Sequence, residues 1–119
     1  MYTAQSDCEL ERLNNPFEKA LDKDGFLKDL ASWDPAMADA LALLEGKELT
    51  DSHWEVMHIL RAFYRQTEVA PAMRPFVKLV REKLGTDKGN SIYLMEQFGS
   101  SPAKTAAKWS GLPRPTNCL

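Results

Sequence analysis

The chain has 119 residues, of which 44% are hydrophobic and 27% charged, and a net charge of −2. These values are ordinary for a globular protein and exclude wholesale disorder, and the length fits a single domain with its own hydrophobic core. No apolar run is long enough for a membrane helix, and the first twelve residues lack the basic and apolar regions of a signal peptide. We therefore expect a cytoplasmic protein.

The charge is unevenly distributed along the chain. Residues 1–73 hold 7 Lys and Arg against 14 Asp and Glu, whereas residues 74–119 hold 8 against 3. The second part is therefore basic in an otherwise acidic chain. Such a surface can attract an acidic partner, either a protein or an RNA.

The N-terminal part shows little helical periodicity. Residues 1–16 carry Asn14-Asn15-Pro16 and are expected to form an extension with weak structure. Residues 17–28 predict a small β-hairpin, because two short apolar runs flank Asp22-Lys23-Asp24-Gly25 and Asp-Gly favours a tight turn. The hairpin begins a domain that we expect to span residues 17–111.

Two helices are predicted next. Asp34 is a natural N-cap with Pro35 in the first helical position, and Gly46 ends that helix. Its inward stripe is expected to contain Met37, Ala40, Leu41 and Leu44. The second helix begins at Thr50 or Asp51 and runs to about Gln66. Because it is apolar over much of its circumference, we expect it to be central and largely buried.

Three further helices complete the prediction. The third spans roughly 71–84, ends at Gly85, and is followed by a short helix over residues 92–98. The last has Ser101 as its cap and Pro102 in its first position, and it ends near residues 109–111. The expected inner row of the third helix is Met73, Val77, Val80 and Leu84.

The third helix also carries a basic row, Arg74, Lys78 and Arg81, at helical spacing. Three interpretations are open: a helix-turn-helix that binds DNA, a surface that docks an acidic partner, or a solvated face opposite the core. An acidic chain with a single basic row does not favour DNA.

The sequence offers no self-contained active site. There is no glycine-rich phosphate loop after a strand and no nucleophile elbow. The two histidines, His53 and His58, are five residues apart on a helix, about 140° around it, and so do not share a face for a metal ion. We expect neither a cofactor nor a metal.

The C-terminal residues 112–119 form a tether for a thiol. Pro113 and Pro115 exclude a helix, and Cys118 is the residue before Leu119. Such a mobile arm can reach about 25 Å from Leu112 at roughly 3.3 Å per residue. A cysteine on a semi-stiff tether suits a group carrier whose sulfur enters a partner's pocket, and Cys118 is the candidate catalytic residue. The other cysteine, Cys8, lies between Asp7 and Glu9, which disfavour its thiolate.

Several short motifs, in this order, resemble the DsrC/TusE family of sulfur-trafficking proteins from about residue 17 onward. They are Asp24-Gly25-Phe26-Leu27, His53-Trp54-Glu55-Val56, Phe63-Tyr64, Pro71 with Arg74 and Lys78, Lys88-Gly89-Asn90-Ser91, Tyr93-Leu94, Pro102-Ala103-Lys104, and Gly111-Leu112-Pro113-Arg114-Pro115 followed by Cys118. The resemblance implies an α+β fold, in which a small N-terminal β-hairpin or meander packs on an array of about five α-helices that ends in a Pro-rich arm.

The resemblance also implies a role. In the family the penultimate cysteine carries sulfur as a persulfide, which is the role implied for Cys118. The DsrC branch, associated with dissimilatory sulfite reductase, has a second cysteine in the last helix or arm, whereas this chain has Ala106-Ala107-Lys108-Trp109 there. The single-cysteine branch is therefore favoured. Its members take sulfur from a TusBCD complex and present it to MnmA, which thiolates the wobble uridine of tRNA.

The expected site thus consists of Cys118, with Arg114, Arg74, Lys78 and Arg81 helping to dock partners. The partners implied are a TusBCD-like donor and an MnmA-like tRNA thiouridylase, with tRNA met indirectly and no membrane involved. Two alternatives stay open: a DsrC-like carrier or regulator in sulfite or sulfur oxidation, and a helix-turn-helix protein that binds nucleic acid.

Overall fold

The computed structural model describes residues 20–115. A 3₁₀ helix, Leu30–Ser32, is followed by five α-helices within this range. They are α1 (Pro35–Leu44), α2 (Asp51–Thr67), α3 (Met73–Leu84), α4 (Ser91–Phe98) and α5 (Pro102–Trp109). The prediction of about five helices is confirmed.

The segment before the helices is a reverse turn. Leu21 and Leu27 form an isolated antiparallel bridge, and Lys28 donates its backbone N–H to the carbonyl of Ala20 at 2.9 Å. Residues 20–115 contain no longer strand. The first residues of the expected hairpin, 17–19, and the expected extension, 1–16, lie outside the described residues. The β part of the fold therefore stays a prediction.

Helix α1 begins where its cap predicts. The Asp34 carboxylate accepts the N–H of Met37 at 2.7 Å, and Pro35 occupies the first turn. Its buried residues are Ala38, Leu41 and Ala42. The expected inward position of Leu44 is wrong: the residue is 53% exposed, because it lies about 120° around the helix from the centre of the buried face.

Helix α3 differs from its prediction in where it begins and in which residues are most buried. It begins at Met73 rather than Pro71, and its fully buried residues are Phe76 and Val80. Met73 and Val77 are only partly buried, so the inner face is rotated towards Phe76. The four residues of the predicted inner row all pack on the core, but only Val80 among them is fully buried, and the row did not include Phe76.

Helix α5 lies at the centre of the helical bundle, since it contacts each of the other four α-helices of residues 20–115. Its small residues Ala103, Ala106 and Ala107 are at most 7% exposed and let neighbouring backbones approach closely. Ser101 occupies the N-cap position, but its side chain makes no capping hydrogen bond. The helix that precedes the predicted arm is thus the one held by all the others.

Helix α2 packs against α3, α4 and α5, in agreement with its predicted central position. Only His53, Val56, Met57 and Leu60 of its 17 residues are buried, so the expectation of a largely buried helix was wrong. Across residues 20–115 we find no helix with the length and apolar character needed to cross a membrane.

Candidate functional site

The candidate site is the root of the arm, residues 110–115, because Cys118 itself lies outside the described residues. Helix α5 ends in a Schellman motif: Leu112 N–H donates to the carbonyl of Ala107 at 2.9 Å, and Gly111 N–H to that of Lys108 at 3.2 Å. Leu112 is 3% exposed. The chain therefore leaves the helix in a fixed direction.

Two side chains from other elements complete this end of α5. The indole N–H of Trp33 donates to the carbonyl of Trp109 at 2.9 Å, and Arg61 Nη1 donates to that of Ser110 at 2.5 Å. The Arg61 guanidinium also stacks on the Trp33 ring, 3.7 Å from its centroid. Burial lowers the pKa of Arg61, and the nearby Arg65 lowers it further. The last carbonyls of the helix are thus bound within the fold.

Gly111 is required at the exit from the helix. Its φ is +73°, in the left-handed region, and a Cβ at this position would lie 2.3 Å from Cδ1 of Trp33. The indole therefore packs directly on the glycine backbone.

Beyond Gly111 the arm lies against the N-terminal turn. Arg114 pairs with the carboxylate of Asp24 and, at 3.2 Å, with that of Asp22. Its guanidinium lies 4.9 Å from the centroid of the Phe26 ring, and Pro115 is buried. The first four residues of the predicted arm, 112–115, are consequently docked on the domain.

The turn presents its carboxylates in a fixed arrangement. Asp22 Oδ1 accepts the backbone N–H groups of Asp24 and Phe26 at 2.8 and 3.0 Å, which leaves Oδ2 towards Arg114. Partial burial raises the pKa of Asp22, but these two hydrogen bonds and Arg114 outweigh it, so the pKa lies below the ordinary value. The pairing with Asp24, joined by the charge of Asp22, raises the pKa of Arg114.

This anchor limits where the thiol can go. Cys118 is the third residue after Pro115, and three residue steps span at most about 11 Å. The ion-paired Arg114 therefore limits how far a thiol at position 118 can reach from the turn. If the pairing opens and the chain pivots at Leu112, Cys118 lies six residues beyond the pivot and its reach rises to about 20 Å.

A lysine-bearing groove adjoins the same turn. It has a volume of about 380 Å³ and includes Lys47, Lys104 and Lys108. Lys108 Nζ lies 3.5 Å from Glu45 and 5.7 Å from the Phe26 ring, so this side chain connects the groove to the turn that holds Arg114. Glu45 also accepts the indole N–H of Trp109 at 2.8 Å.

The predicted basic row is separate from this site. Arg74, Lys78 and Arg81 are exposed and line another groove, between α3 and the start of α4. Within residues 20–115, the hydrogen bond, ion pairs and ring contact of Arg114 go to Asp22, Asp24 and Phe26, not to this row. The structure thus gives Arg114 partners inside the chain, and its role in docking other proteins stays a prediction, as does that of the row.

His53 has a structural environment. Its Nδ1 accepts the backbone N–H of Thr50 at 3.0 Å, so Nε2 carries the proton and donates to the carbonyl of Gln97 at 2.7 Å. Phe98 and Trp109 meet the imidazole edge-on, with ring centroids at 5.4 and 6.1 Å. Both ring nitrogens are engaged, and the histidine joins α2 to α4.

The comparisons with known proteins agree with this architecture. Residues 15–119 match the family model described as DsrC like protein. A Haemophilus influenzae protein named "Sulfurtransferase TusE homolog" is 50% identical over 105 residues, covering 88% of this chain and 96% of its own. The "Sulfurtransferase TusE" of Yersinia pseudotuberculosis is 46% identical over 98 residues, covering 82% and 91%.

Two solved structures of DsrC proteins are also similar to this chain, in sequence and in fold. The NMR structure of Allochromatium vinosum DsrC is 43% identical, has a TM-score of 0.76, and covers 83% of this chain and 88% of its own. The crystal structure of the oxidised γ-subunit of dissimilatory sulfite reductase (DsrC) from Archaeoglobus fulgidus is 38% identical, with a TM-score of 0.71 and coverage of 83% and 90%. The fold and the sequence agree, and the chain belongs to the DsrC-like family.

Proposed function

We propose that the chain is a sulfur carrier that accepts persulfide sulfur on Cys118 and passes it to a tRNA thiouridylase for 2-thiouridine synthesis at the wobble position. The observation that carries the proposal is the similarity, at 44–50% identity over most of the chain, to proteins named sulfurtransferase TusE. The donor is a TusBCD-like complex and the acceptor an MnmA-like enzyme. A cytoplasmic location and an indirect encounter with tRNA belong to the same proposal.

The chemistry is transpersulfidation. The Cys118 thiolate attacks the terminal sulfur of the donor's persulfide, a new S–S bond forms, and the donor's S–S bond breaks. The donor cysteine leaves as a thiolate, and Cys118 becomes the persulfide. A cysteine of the acceptor then removes the same sulfur by the reverse exchange, so the carrier undergoes no net oxidation.

The arm root supports this role physically. The ion pairs of Arg114 with Asp22 and Asp24 shorten the free part of the arm, and their release lengthens the reach available to a thiol at position 118. The chain has one cysteine in this region, so no ring can close within the arm. This feature favours exchange between proteins.

Mass measurement tests the proposal. The protein is incubated with sulfur-loaded donor, and addition of about 32 Da, one sulfur atom, is expected in the wild type and in Cys8→Ser. Cys118→Ser should gain none. Addition that persists in Cys118→Ser would exclude Cys118 as the carrier residue.

A second candidate is a DsrC-like carrier or regulator in sulfite or sulfur oxidation, favoured by the likeness to the two DsrC structures. Loss of 2-thiouridine from tRNA in a deletion strain separates the two candidates, since only the tRNA pathway predicts it.

A further inference from the structure

The groove between α3 and α4 has the character of a protein-docking surface. It has a volume of about 540 Å³ and includes the partly buried, apolar Met73 and Val77. Arg74, Lys78 and Arg81 are exposed and line the same groove. An apolar lining beside three cations suits an acidic segment that carries an apolar side chain.

The apolar character continues along α4. Ser91 lines the groove, and Met95 lies one turn further on the same side of the helix. Met95 is 45% exposed, and the neighbouring Ile92 is 71% exposed. Exposed apolar side chains thus continue along α4 from the end of the groove at Ser91, and a partner that covers them gains the free energy of burying them.

The groove is held in shape by its own loop. Arg81 Nε donates to the carbonyl of Gly89 at 3.1 Å, and a Cβ on Gly89 would lie 2.2 Å from Cα of Arg81, so the two backbones touch. Asn90 accepts the N–H of Tyr93 and donates to the carbonyls of Thr86 and Asp87. A surface that is already formed loses little conformational entropy on binding.

The charge of the groove is not neutralised within the described chain. Among residues 20–115, none of Arg74, Lys78 and Arg81 has a carboxylate within ion-pair distance. The acidic residues nearest in sequence, Glu68, Glu82 and Asp87, do not line the groove. An incoming carboxylate therefore meets three unpaired cations.

The lining of the groove favours a protein over a nucleic acid as the partner that binds there. The lining contains no aromatic side chain on which a base could stack. Phosphates would pair with the cations but leave Ile92 and Met95 exposed. An acidic protein segment satisfies both the charges and the exposed apolar side chains.

We infer that this groove docks the protein that donates sulfur, through an acidic segment of that protein. The choice of donor rests on the proposed function and on charge. An enzyme that modifies tRNA must present a basic surface to the phosphates, and a basic groove on the carrier would repel it. A protein that only supplies sulfur needs no basic surface for phosphates, so an acidic docking segment is compatible with that task.

The test measures the affinity of the purified TusBCD-like donor for the carrier in a Cys118→Ser background, so that binding is separated from sulfur transfer. Arg74→Glu with Lys78→Glu should weaken binding at least about tenfold. Ile92→Ser should weaken it about threefold or more through lost apolar contact. The matched control, Lys28→Glu with Lys83→Glu, makes the same charge change at exposed positions outside the groove and should change affinity less than threefold.

Three outcomes would overturn the inference. In the first, the Cys118→Ser carrier with an unaltered groove does not bind the donor at all, and in the second, the groove and control variants lose donor affinity equally. In the third, the groove variants lose affinity only for tRNA or for the thiouridylase, and not for the donor. The last would identify a nucleic-acid or acceptor surface instead. Far-UV circular dichroism and the melting temperature of each variant verify folding. The mass experiment on Cys118 tests the proposed function independently of this docking experiment. The donor can bind a carrier that takes up no sulfur, and sulfur uptake by Cys118 can occur without docking in this groove.

Discussion

Arg114 and Asp24 form an ion pair across 90 residues of sequence, and this pair fastens the start of the C-terminal arm to the N-terminal turn. Asp22 and the Phe26 ring complete the cradle for the guanidinium. The groups are largely exposed, so the contact is suited to opening and closing rather than to holding the domain together.

Breaking this contact should free the thiol without unfolding the protein. A nitroxide label on Cys118, in a Cys8→Ser background, should broaden amide NMR signals mainly around residues 22–28. In Arg114→Gln the broadening should spread over more of the surface and weaken at the turn, because the pivot moves from Pro115 back towards Leu112. The melting temperature should hardly change.

Lys28→Gln is the control for this experiment, since Lys28 is an exposed cation of the same turn that takes no part in the pairing. Its broadening pattern should match the wild type. An unchanged pattern in Arg114→Gln would mean that the ion pairs do not determine the position of the arm.

The carboxyl of Asp22 should titrate below its ordinary pKa of 3.8, because the hydrogen bonds from Phe26 and Asp24 and the charge of Arg114 outweigh partial burial. A pKa lowered by folding means that the carboxylate stabilises the native state at pH above 3.8, and that this contribution is lost as pH falls through the folded value. NMR titration of the side chain checks the midpoint. Arg114→Gln should raise the midpoint, since both the charge and the hydrogen bond of Arg114 lower it; a midpoint that does not move contradicts a direct contact.

Local signals in the sequence predict the helices but not the packing between distant segments. Asp34 followed by Pro35 specifies where α1 begins, because capping involves neighbours three residues apart. The inward residues of α1 and α3 were placed less well: Leu44 is exposed and Phe76 is buried, since the helix neighbours decide which face is covered.

In the candidate site, too, the local features could be predicted from the sequence and the contact between distant segments could not. Cys118 and the proline arm are visible in the sequence, and Asp-Gly predicts a turn at residues 24–25. Nothing in the sequence links that turn to Arg114, because the contact exists only once α5 lies in the centre of the bundle. The cradle formed by Asp22 and Asp24 was therefore missed.

His53 should stabilise the fold and leave sulfur chemistry unaffected. His53→Ala removes the acceptor for Thr50 N–H and the donor to the Gln97 carbonyl, and leaves a void beside Phe98, so a loss of about 2–4 kcal/mol is expected. Urea unfolding measures this loss. His58→Ala, on the exposed side of the same helix, should cost less than about 1 kcal/mol.

The mass experiment distinguishes the two possible roles of His53. If the folded variant loads sulfur on Cys118 at the wild-type rate, the histidine is structural. A rate that falls at least about tenfold while stability is retained would give it a part in the reaction.

An alanine at Gly111 should destabilise the fold in two ways, through the strain of a left-handed backbone and through a steric clash with Trp33, and a second glycine allows the two costs to be measured separately. Gly111→Ala places a methyl group 2.3 Å from the Trp33 ring at a φ of +73°, and should cost about 2–4 kcal/mol. Gly46→Ala is matched in φ, at +74°, but its Cβ would meet no atom within 4 Å, so it should cost only about 1 kcal/mol.

The difference between these two variants in urea unfolding therefore measures the contact between Trp33 and the start of the arm. Trp33→Ala should abolish most of that difference, because a methyl group on Gly111 then has space, although the fold loses the indole's own packing and hydrogen bond. Equal losses in Gly111→Ala and Gly46→Ala would show that backbone strain alone explains the glycine. In that case the indole would not fix the direction in which the chain leaves α5.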